Sequence, residues 1–416
     1  MKKILRDLAG HPLLLFFAVF IIGFSITDAF FSKAVFSEME NRYLKQRPAF
    51  SWSSLVKNEY TGAYEEYVND QFAFRDQWIH LKSVGEMALM KIENGGVAYG
   101  RDHYLFARLY PGPLAETRGN GTGFGGDGGR DTALPAVSDR QIAANLGFLN
   151  RFLAGYPGQV TLAIAPNSDA VLSDKVPRGM ENADQAAYIA DIYAGVRGAH
   201  TLDLIGPMAD SAAARQTYYR TDHHWTTDGA WAAYAAFARD RGLGYVPLED
   251  LADLRREEPG FLGTQYSKTK NIDVQPDTLV WYDIPVTDVT IDGKKQADTG
   301  RGVVEVDGLY HRDMLGRRDK YAAFLYGNHG LTVIRSGNNL NHQEGKTSRV
   351  LLVKDSYGNC MAPFLTYSYD EVYVADLRAL PTPMSRLVAE TDFDDVLILY
   401  NFTSFQQDKD LARITF

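Results

Sequence analysis

Arg349-Val350-Leu351-Leu352-Val353, followed at once by Lys354-Asp355-Ser356-Tyr357-Gly358-Asn359, is the stretch on which the fold turns. Its first five residues are short, apolar and partly β-branched, which reads as a buried strand ending in turn-forming residues. The same signature recurs at residues 160–165, 371–374 and 395–400, with a shorter run at 200–204. Between these runs, residues 141–154, 183–195 and 228–241 carry helical spacing, the last behind Thr226 or Thr227 as an N-cap. Helices alternating with apolar strands predict an α/β fold: a mostly parallel sheet covered by helices on both faces. In such a sheet the carboxyl ends of the strands line the active crevice, and Ser356 stands at one of them.

A serine after a strand also reads as a helix N-cap, and the pattern Ser-x-x-x-Gly says little alone. A nucleophilic serine needs a neighbouring base. Tyr218-Tyr219-Arg220-Thr221-Asp222-His223-His224-Trp225 offers one. In a strand, Asp222 and His224 would share a face, the carboxylate fixing the ring's tautomer. On that geometry His223 points the other way, as a buried or supporting residue. Trp225 reads as packing that also borders a sugar site. Gly358, with Asn359 heading a turn, would leave backbone N–H groups free to face an oxyanion. Gly-x-Ser-x-Gly is absent, so this is not an ordinary α/β-hydrolase elbow. No His-Glu-x-x-His helix and no Cys/His cluster is present, so neither a metal nor a cofactor is expected.

The bulk properties narrow the classes. The chain has 416 residues, 45% hydrophobic and 23% charged, a globular composition. A net charge of −9 argues against nucleic acid as a partner. The single cysteine, Cys360, permits no internal disulfide but does not exclude export. Aromatic residues make up 12%, which suits either core packing or carbohydrate stacking. Near the N-terminus, Lys2, Lys3 and Arg6 precede an apolar stretch from Pro12 to Phe31, about the 20 residues a membrane helix needs. Basic residues ahead of it leave the N-terminus in the cytoplasm and the body outside. An uncleaved single-pass anchor is the expected reading; a cleaved signal peptide is its rival.

Residues 1–31 therefore form a cytoplasmic tip and anchor, and 32–135 a helical neck and a glycine-rich loop. Residues 136–416 form the catalytic domain, with a β-rich insertion at about 243–348 that supplies one wall of the site. The glycine-rich stretch 119–129 neither follows a strand nor opens a helix, so it is a surface loop rather than a phosphate cradle. Asp292-Gly293 marks a hairpin turn within the insertion.

Asp222-His223-His224-Trp225 matches the signature of the DHHW family of bacterial envelope proteins. Glu40-Asn41-Arg42, Asp70-Gln71-Phe72-Ala73-Phe74-Arg75, Tyr99-Gly100-Arg101-Asp102, Asp319-Lys320-Tyr321, Gly327-Asn328-His329 and Lys354-Asp355-Ser356-Tyr357 resemble that family too. The family is similar to the SGNH-like proteins of alginate and peptidoglycan O-acetylation, in a circularly permuted motif order with Asp-x-His ahead of Ser. The resemblance implies an extracytoplasmic O-acetyltransferase. It would work with a membrane-bound O-acyltransferase as acetyl donor and a cell-envelope or exported polysaccharide as acceptor. Asp222, His224 and Ser356 fall on the family's triad positions. Oxyanion donors are the Ser356 N–H, with Asn328 or a residue near Gly358 second and Asn167 a further candidate. Tyr357 and Trp225 border the substrate, and Arg378 either holds an acidic sugar or forms a surface ion pair. A carbohydrate acetyl-esterase on the same triad, or a non-catalytic polysaccharide-binding scaffold, are the alternatives.

Overall fold

The computed structural model describes residues 11–31, 33–37, 42–111 and 136–416. The basic lead, Glu40-Asn41 and the glycine-rich stretch lie outside them. Contacts divide the chain into two compact units, residues 1–91 with 270–272, and residues 92–269 with 273–416.

The first unit is helical. α1 (Pro12–Phe30) has no buried side chain and a mean hydropathy of 2.3, and it is long and apolar enough to cross a membrane. α2 (Trp52–Val56) starts at Ser51, whose hydroxyl accepts the Ser54 N–H. α3 (Glu59–Gln71) and α4 (Arg75–Ala88) follow. Buried and half-buried polar groups tie these pieces together. The Asp28 carboxylate takes the Ala73 N–H at 2.7 Å, the Asp70 carboxylate takes the Lys45 N–H at 2.8 Å, and the Gln71 amide donates to the Ala34 carbonyl at 2.7 Å.

The second unit opens with a three-stranded antiparallel sheet, β1 (Glu93–Asn94), β2 (Val97–Tyr99) and β3 (Leu105–Ala107). Then come α5 (Asp139–Gly155), β4 (Val160–Ala165), α6 (Gln185–Gly195), β5 (His200–Leu202), α7 (Ile205–Ala214) and α8 (Thr227–Asp240). β6 (Arg255–Phe261) and β7 (Asp277–Tyr282) pair with each other, and β8 (Asp288–Ile291) and β9 (Leu331–Arg335) follow. β10 (Arg349–Lys354), α9 (Gly358–Leu365), β11 (Glu371–Ala375), α10 (Met384–Glu390), β12 (Asp395–Asn401) and α11 (Phe402–Gln407) complete it.

Seven strands form the main sheet in the order β8-β9-β11-β10-β12-β4-β5. The five from β11 to β5 are parallel, and β9 and β8 add on antiparallel. β4 and β12 are buried along their whole length, as strands covered on both faces must be. Alternation divides β10 between two cores. Val350 and Leu352 pack with Phe237 of α8 and Phe364 of α9, while Leu351 and Val353 pack with Leu149 of α5 and Ile189 of α6. The α/β layering read from the sequence is therefore the fold, with helices on both faces.

Two expectations need correction. The β-rich segment at about 243–348 is not set apart from the main sheet, because β8 and β9 extend it. β8 alternates half-buried and buried residues, the pattern of a strand with one face on the core. Asp292 and Gly293 do make a tight turn with φ of 49° and 75°, but only the single bridge Ile291–Lys294 closes on it. β8 instead pairs with β9, beginning Asp288 opposite Arg335. Nor is the Asp222–Trp225 stretch a strand. It is a series of bends held by an isolated bridge between Tyr218 and Trp225.

Candidate active site

Ser356 heads the turn between β10 and α9, and the sequence there leaves it little freedom. The Asp355 carboxylate accepts the Tyr357 N–H at 2.9 Å and the Asn401 N–H, at the end of neighbouring β12, at 2.8 Å. Gly358 is required for space. A Cβ there would lie 2.6 Å from Lys354 Cβ, so α9 could not turn back over the strand. Lys354 itself is buried, its ammonium bonded to Asp376 at 3.0 Å and to the Asn328 amide oxygen at 3.1 Å.

Across from this turn, Asp222 Oδ1 accepts the backbone N–H of His224 at 3.0 Å and lies 2.5 Å from His224 Nδ1. This is an Asx turn, in which an Asp side chain bonds two residues on. It replaces the strand geometry expected for Asp-x-His and delivers the same contact. His224 Nε2 lies 2.7 Å from Ser356 Oγ. Three side chains separated by up to 134 positions thus form one hydrogen-bonded row, with Asp222 and His224 buried and Ser356 half-buried.

The loop is fastened from residues 261–277. Asp277 accepts the Arg220 N–H, the Thr221 N–H and hydroxyl, and the Gln216 amide, at 2.7–3.0 Å. The Thr264 N–H donates to Asp222 Oδ2 at 2.7 Å. Gly263 passes so close that a Cβ would lie 2.2 Å from Asp222 Cβ and Oδ2. Tyr321 covers the other face. Its ring stacks on His224 at 3.8 Å with an interplanar angle of 10°, and its hydroxyl donates to the Ser356 carbonyl at 2.9 Å. Nothing in composition or spacing singles out Gly263, Thr264, Asp277 or Tyr321. Of these only Tyr321 falls in a stretch quoted above for its family resemblance.

The electrostatics suit an ionised Asp222. Burial pushes its carboxyl up, but His223, His224 and the Thr264 N–H outweigh it and hold the carboxyl well below the usual range. Partial desolvation, then the adjacent His224, holds the His223 ring below the ordinary imidazole range. Burial raises Tyr321 and Tyr357 well above 10 and pushes the Cys360 thiol up to about 12, so these groups stay neutral.

The remaining expected site residues divide. The Ser356 N–H has no hydrogen-bond partner among the described residues. The Gly358 N–H, by contrast, is spent on the Asp355 carbonyl at 3.1 Å, because it closes the first turn into α9. Gly358 is therefore a packing residue rather than an oxyanion donor. Asn328 is exposed, and its amide oxygen accepts from Lys354 and Asn359. Its NH2 group is thus free of partners among the described residues. Asn167 is a structural pin, donating to Thr403 and accepting from Asn401. Arg378 donates to both oxygens of the buried Asp376, an ion pair.

Trp225 does not border a sugar site. It is fully buried, its indole N–H donating to the Tyr357 carbonyl at 3.0 Å, because it forms the floor under α9. Tyr357 is likewise buried, its hydroxyl donating to the His223 carbonyl. His223 does not point away from His224. Their ring centroids are 3.8 Å apart, the His223 side chain is 41% exposed, and its Nδ1 lies 2.6 Å from the Thr264 hydroxyl. The bend, unlike a strand, does not alternate faces. Asp222, His223 and His224 could supply ligand atoms within 4.8 Å of one another. Both His224 nitrogens are already engaged, with Asp222 and Ser356, so a cation would have to break the row.

A family model described as DHHW protein matches residues 134–375. A probable alginate O-acetylase, AlgJ of Pseudomonas fluorescens, is 22% identical over 194 residues, 45% of this chain and 44% of that protein. The chain therefore spans under half the length of this curated relative. A DHHW family protein from Eubacterium siraeum has a similar fold, with a TM-score of 0.56 at 22% identity, covering 77% of this chain and 96% of the other. PatB1 of Bacillus cereus, solved with a sulfonyl adduct, gives a TM-score of 0.53 at 19% identity, covering 67% and 92%.

Proposed function

This chain belongs to the DHHW family, and on that premise we propose that it is an O-acetyltransferase acting through an acetyl-serine on hydroxyls of a cell-envelope or exported polysaccharide. The observation that carries the proposal is the row Asp222–His224–Ser356, which ends beside an unbonded Ser356 N–H. The name of the Pseudomonas fluorescens relative, a probable alginate O-acetylase, points to the same kind of chemistry. We place the sheet in the SGNH-like class with permuted motif order, since Asp-His precedes Ser in the chain.

In the first half-reaction Ser356 Oγ attacks the acetyl carbonyl and His224 Nε2 takes its proton. Asp222 accepts the Nδ1–H and stabilises the imidazolium. The Ser356 N–H faces the developing oxyanion, with the free NH2 group of Asn328 as second donor. His224 then returns the proton to the leaving group. In the second half a sugar hydroxyl, deprotonated by His224, attacks the acetyl-serine, and His224 returns that proton to Ser356 Oγ as the ester bond breaks. Water in place of the sugar would give an acetyl-esterase. We further propose that α1 is an uncleaved anchor with the body extracytoplasmic, and that a membrane-bound O-acyltransferase supplies the acetyl group.

The test is direct. Residues 92–416 would be incubated with an activated acetyl ester, with and without glycan oligomers, and the products read by mass spectrometry. Acetyl on the Ser356 peptide and on the oligomer supports the transferase. Free acetate with no acetylated oligomer supports the esterase. Neither product would leave a non-catalytic scaffold.

A further inference from the structure

Helix α4 carries an apolar stripe that the site does not use. Phe74, Trp78, Leu81 and Leu89 are 44, 42, 58 and 80% exposed. At about 100° per residue Trp78, Leu81 and Leu89, the last at the C-cap, fall within one sector of the helix, and Phe74 stands at its N-cap. The packed face is the opposite one, where Ser83 is buried and Ile79 and Met87 are half-buried. Apart from the contacts of Phe74 and Trp78 with α1, the exposed stripe is therefore not the side by which α4 joins its own unit. Gln77, Lys82 and Glu86 flank it.

Its setting is decided by α1. The Phe24 ring meets Trp78 edge-on at 6.5 Å, and the Phe31 ring meets Phe74 at 5.2 Å. The Asp28 carboxylate takes the Ala73 N–H just ahead of α4. α4 thus begins against the last two turns of the apolar helix. Phe24 lies six residues before the end of α1, about 9 Å along its axis. If α1 spans the bilayer, Trp78 sits at the depth where headgroups meet acyl chains, the zone that Trp favours. A helix with an apolar stripe on one side and polar flanks is suited to lie in that zone.

We infer that α4 lies in the membrane surface, with the Phe74–Trp78–Leu81–Leu89 stripe seated among lipid headgroups and upper acyl chains. The inference rests on the anchoring role proposed for α1. Phospholipid is the occupant because α1, which has no buried side chain, fixes where the stripe emerges. The stripe then adds a second, lateral hold that sets the tilt of the neck on the bilayer.

Nitroxide labels on single-cysteine variants of the full chain in phosphatidylcholine–phosphatidylglycerol proteoliposomes test this. The sites are Trp78→Cys, Leu81→Cys, Leu89→Cys and Lys82→Cys, with Ile22→Cys in α1. Unsubstituted protein gives the background from buried Cys360. Relaxation by lipid-soluble oxygen should exceed that by water-soluble nickel complex at 78, 81 and 89, with the order reversed at 82. Nickel dominating at 78, 81 and 89 while oxygen dominates at 22 overturns the inference and leaves the anchor standing. Exclusion of both reagents from the stripe also overturns it, since protein rather than lipid then covers it. Nickel dominating at 22 sinks the anchoring role and the inference with it.

Discussion

The Ser356 arm and the Asp222–His224 arm meet across one 2.7 Å hydrogen bond but reach it by different routes. Ser356 rides on regular structure, the end of β10 and the start of α9, and its locking carboxylate is the adjacent Asp355. The Asp222–His224 arm has no helix or strand of its own. Its shape comes from Asp277, Gly263 and Thr264, some forty to fifty-five positions away, and from Tyr321 above the ring. The nucleophile is placed by local order, and the base by long-range polar contacts and close backbone approach. Damage to the first arm should therefore remove chemistry at once, whereas damage to the second can be graded.

Substitution at the row itself should give the largest effects. Ser356→Ala is expected to lower kcat by at least about 10^4-fold with the melting temperature unchanged. Undiminished acetyl transfer in that variant would rule out Ser356 as the nucleophile. Asp222→Asn should cost about 10^4-fold, because the ring loses its tautomer while keeping its place. If activity falls tenfold or less, the carboxylate is not the orienting group.

Gly263→Ala tests the long-range arm. The added Cβ must displace the Asp222 carboxylate, and a shift near 1 Å at a catalytic group costs about 10^2-fold. kcat should fall by that order while KM for the acetyl donor changes little. An unaltered kcat would show that the base arm is not set from this side.

Asp376 offers a pH readout on the nucleophile side. Burial pushes its carboxyl up, but Lys354 and Arg378 outweigh that and hold it at about 2. A folded value below the unfolded one stabilises the protein above the ordinary carboxylate value, and that stability is lost as pH falls toward 2. Roughly 2 kcal/mol should disappear across that window. Denaturant titrations of the wild type and Asp376→Asn between pH 6 and 2 check this, the variant starting lower and changing less. Parallel curves for the two proteins would contradict it.

Tyr321→Phe should have the smallest effect, a loss of about 1 kcal/mol, or several-fold in kcat. It keeps the stack on His224 and removes the hydroxyl's hydrogen bonds to the Ser356 carbonyl and the Cys360 sulfur. Tyr321→Leu, which also removes the stack, should cost a further several-fold in kcat; equal kcat for the two variants would mean that the stack does not hold the His224 ring in place.

The sequence alone carried the parallel strands, the covering helices, an N-cap at Thr226 or Thr227 and the pairing of an Asp-x-His with a distant Ser. It could do so because apolar periodicity and residue chemistry are local properties, readable without neighbours. It also led to the wrong surroundings for Trp225, His223 and Gly358. A strand assumption decided which way His223 faced, and the chain there bends instead; the Gly358 N–H is used in the first turn of α9, and Trp225 is buried beneath that helix. The extension of the sheet by β8 and β9, the hold of Asp277 on the base loop and the stack of Tyr321 on His224 emerged only in three dimensions. Each depends on residues far apart in the chain, and no spacing rule records which distant backbone will pass within van der Waals distance of Asp222.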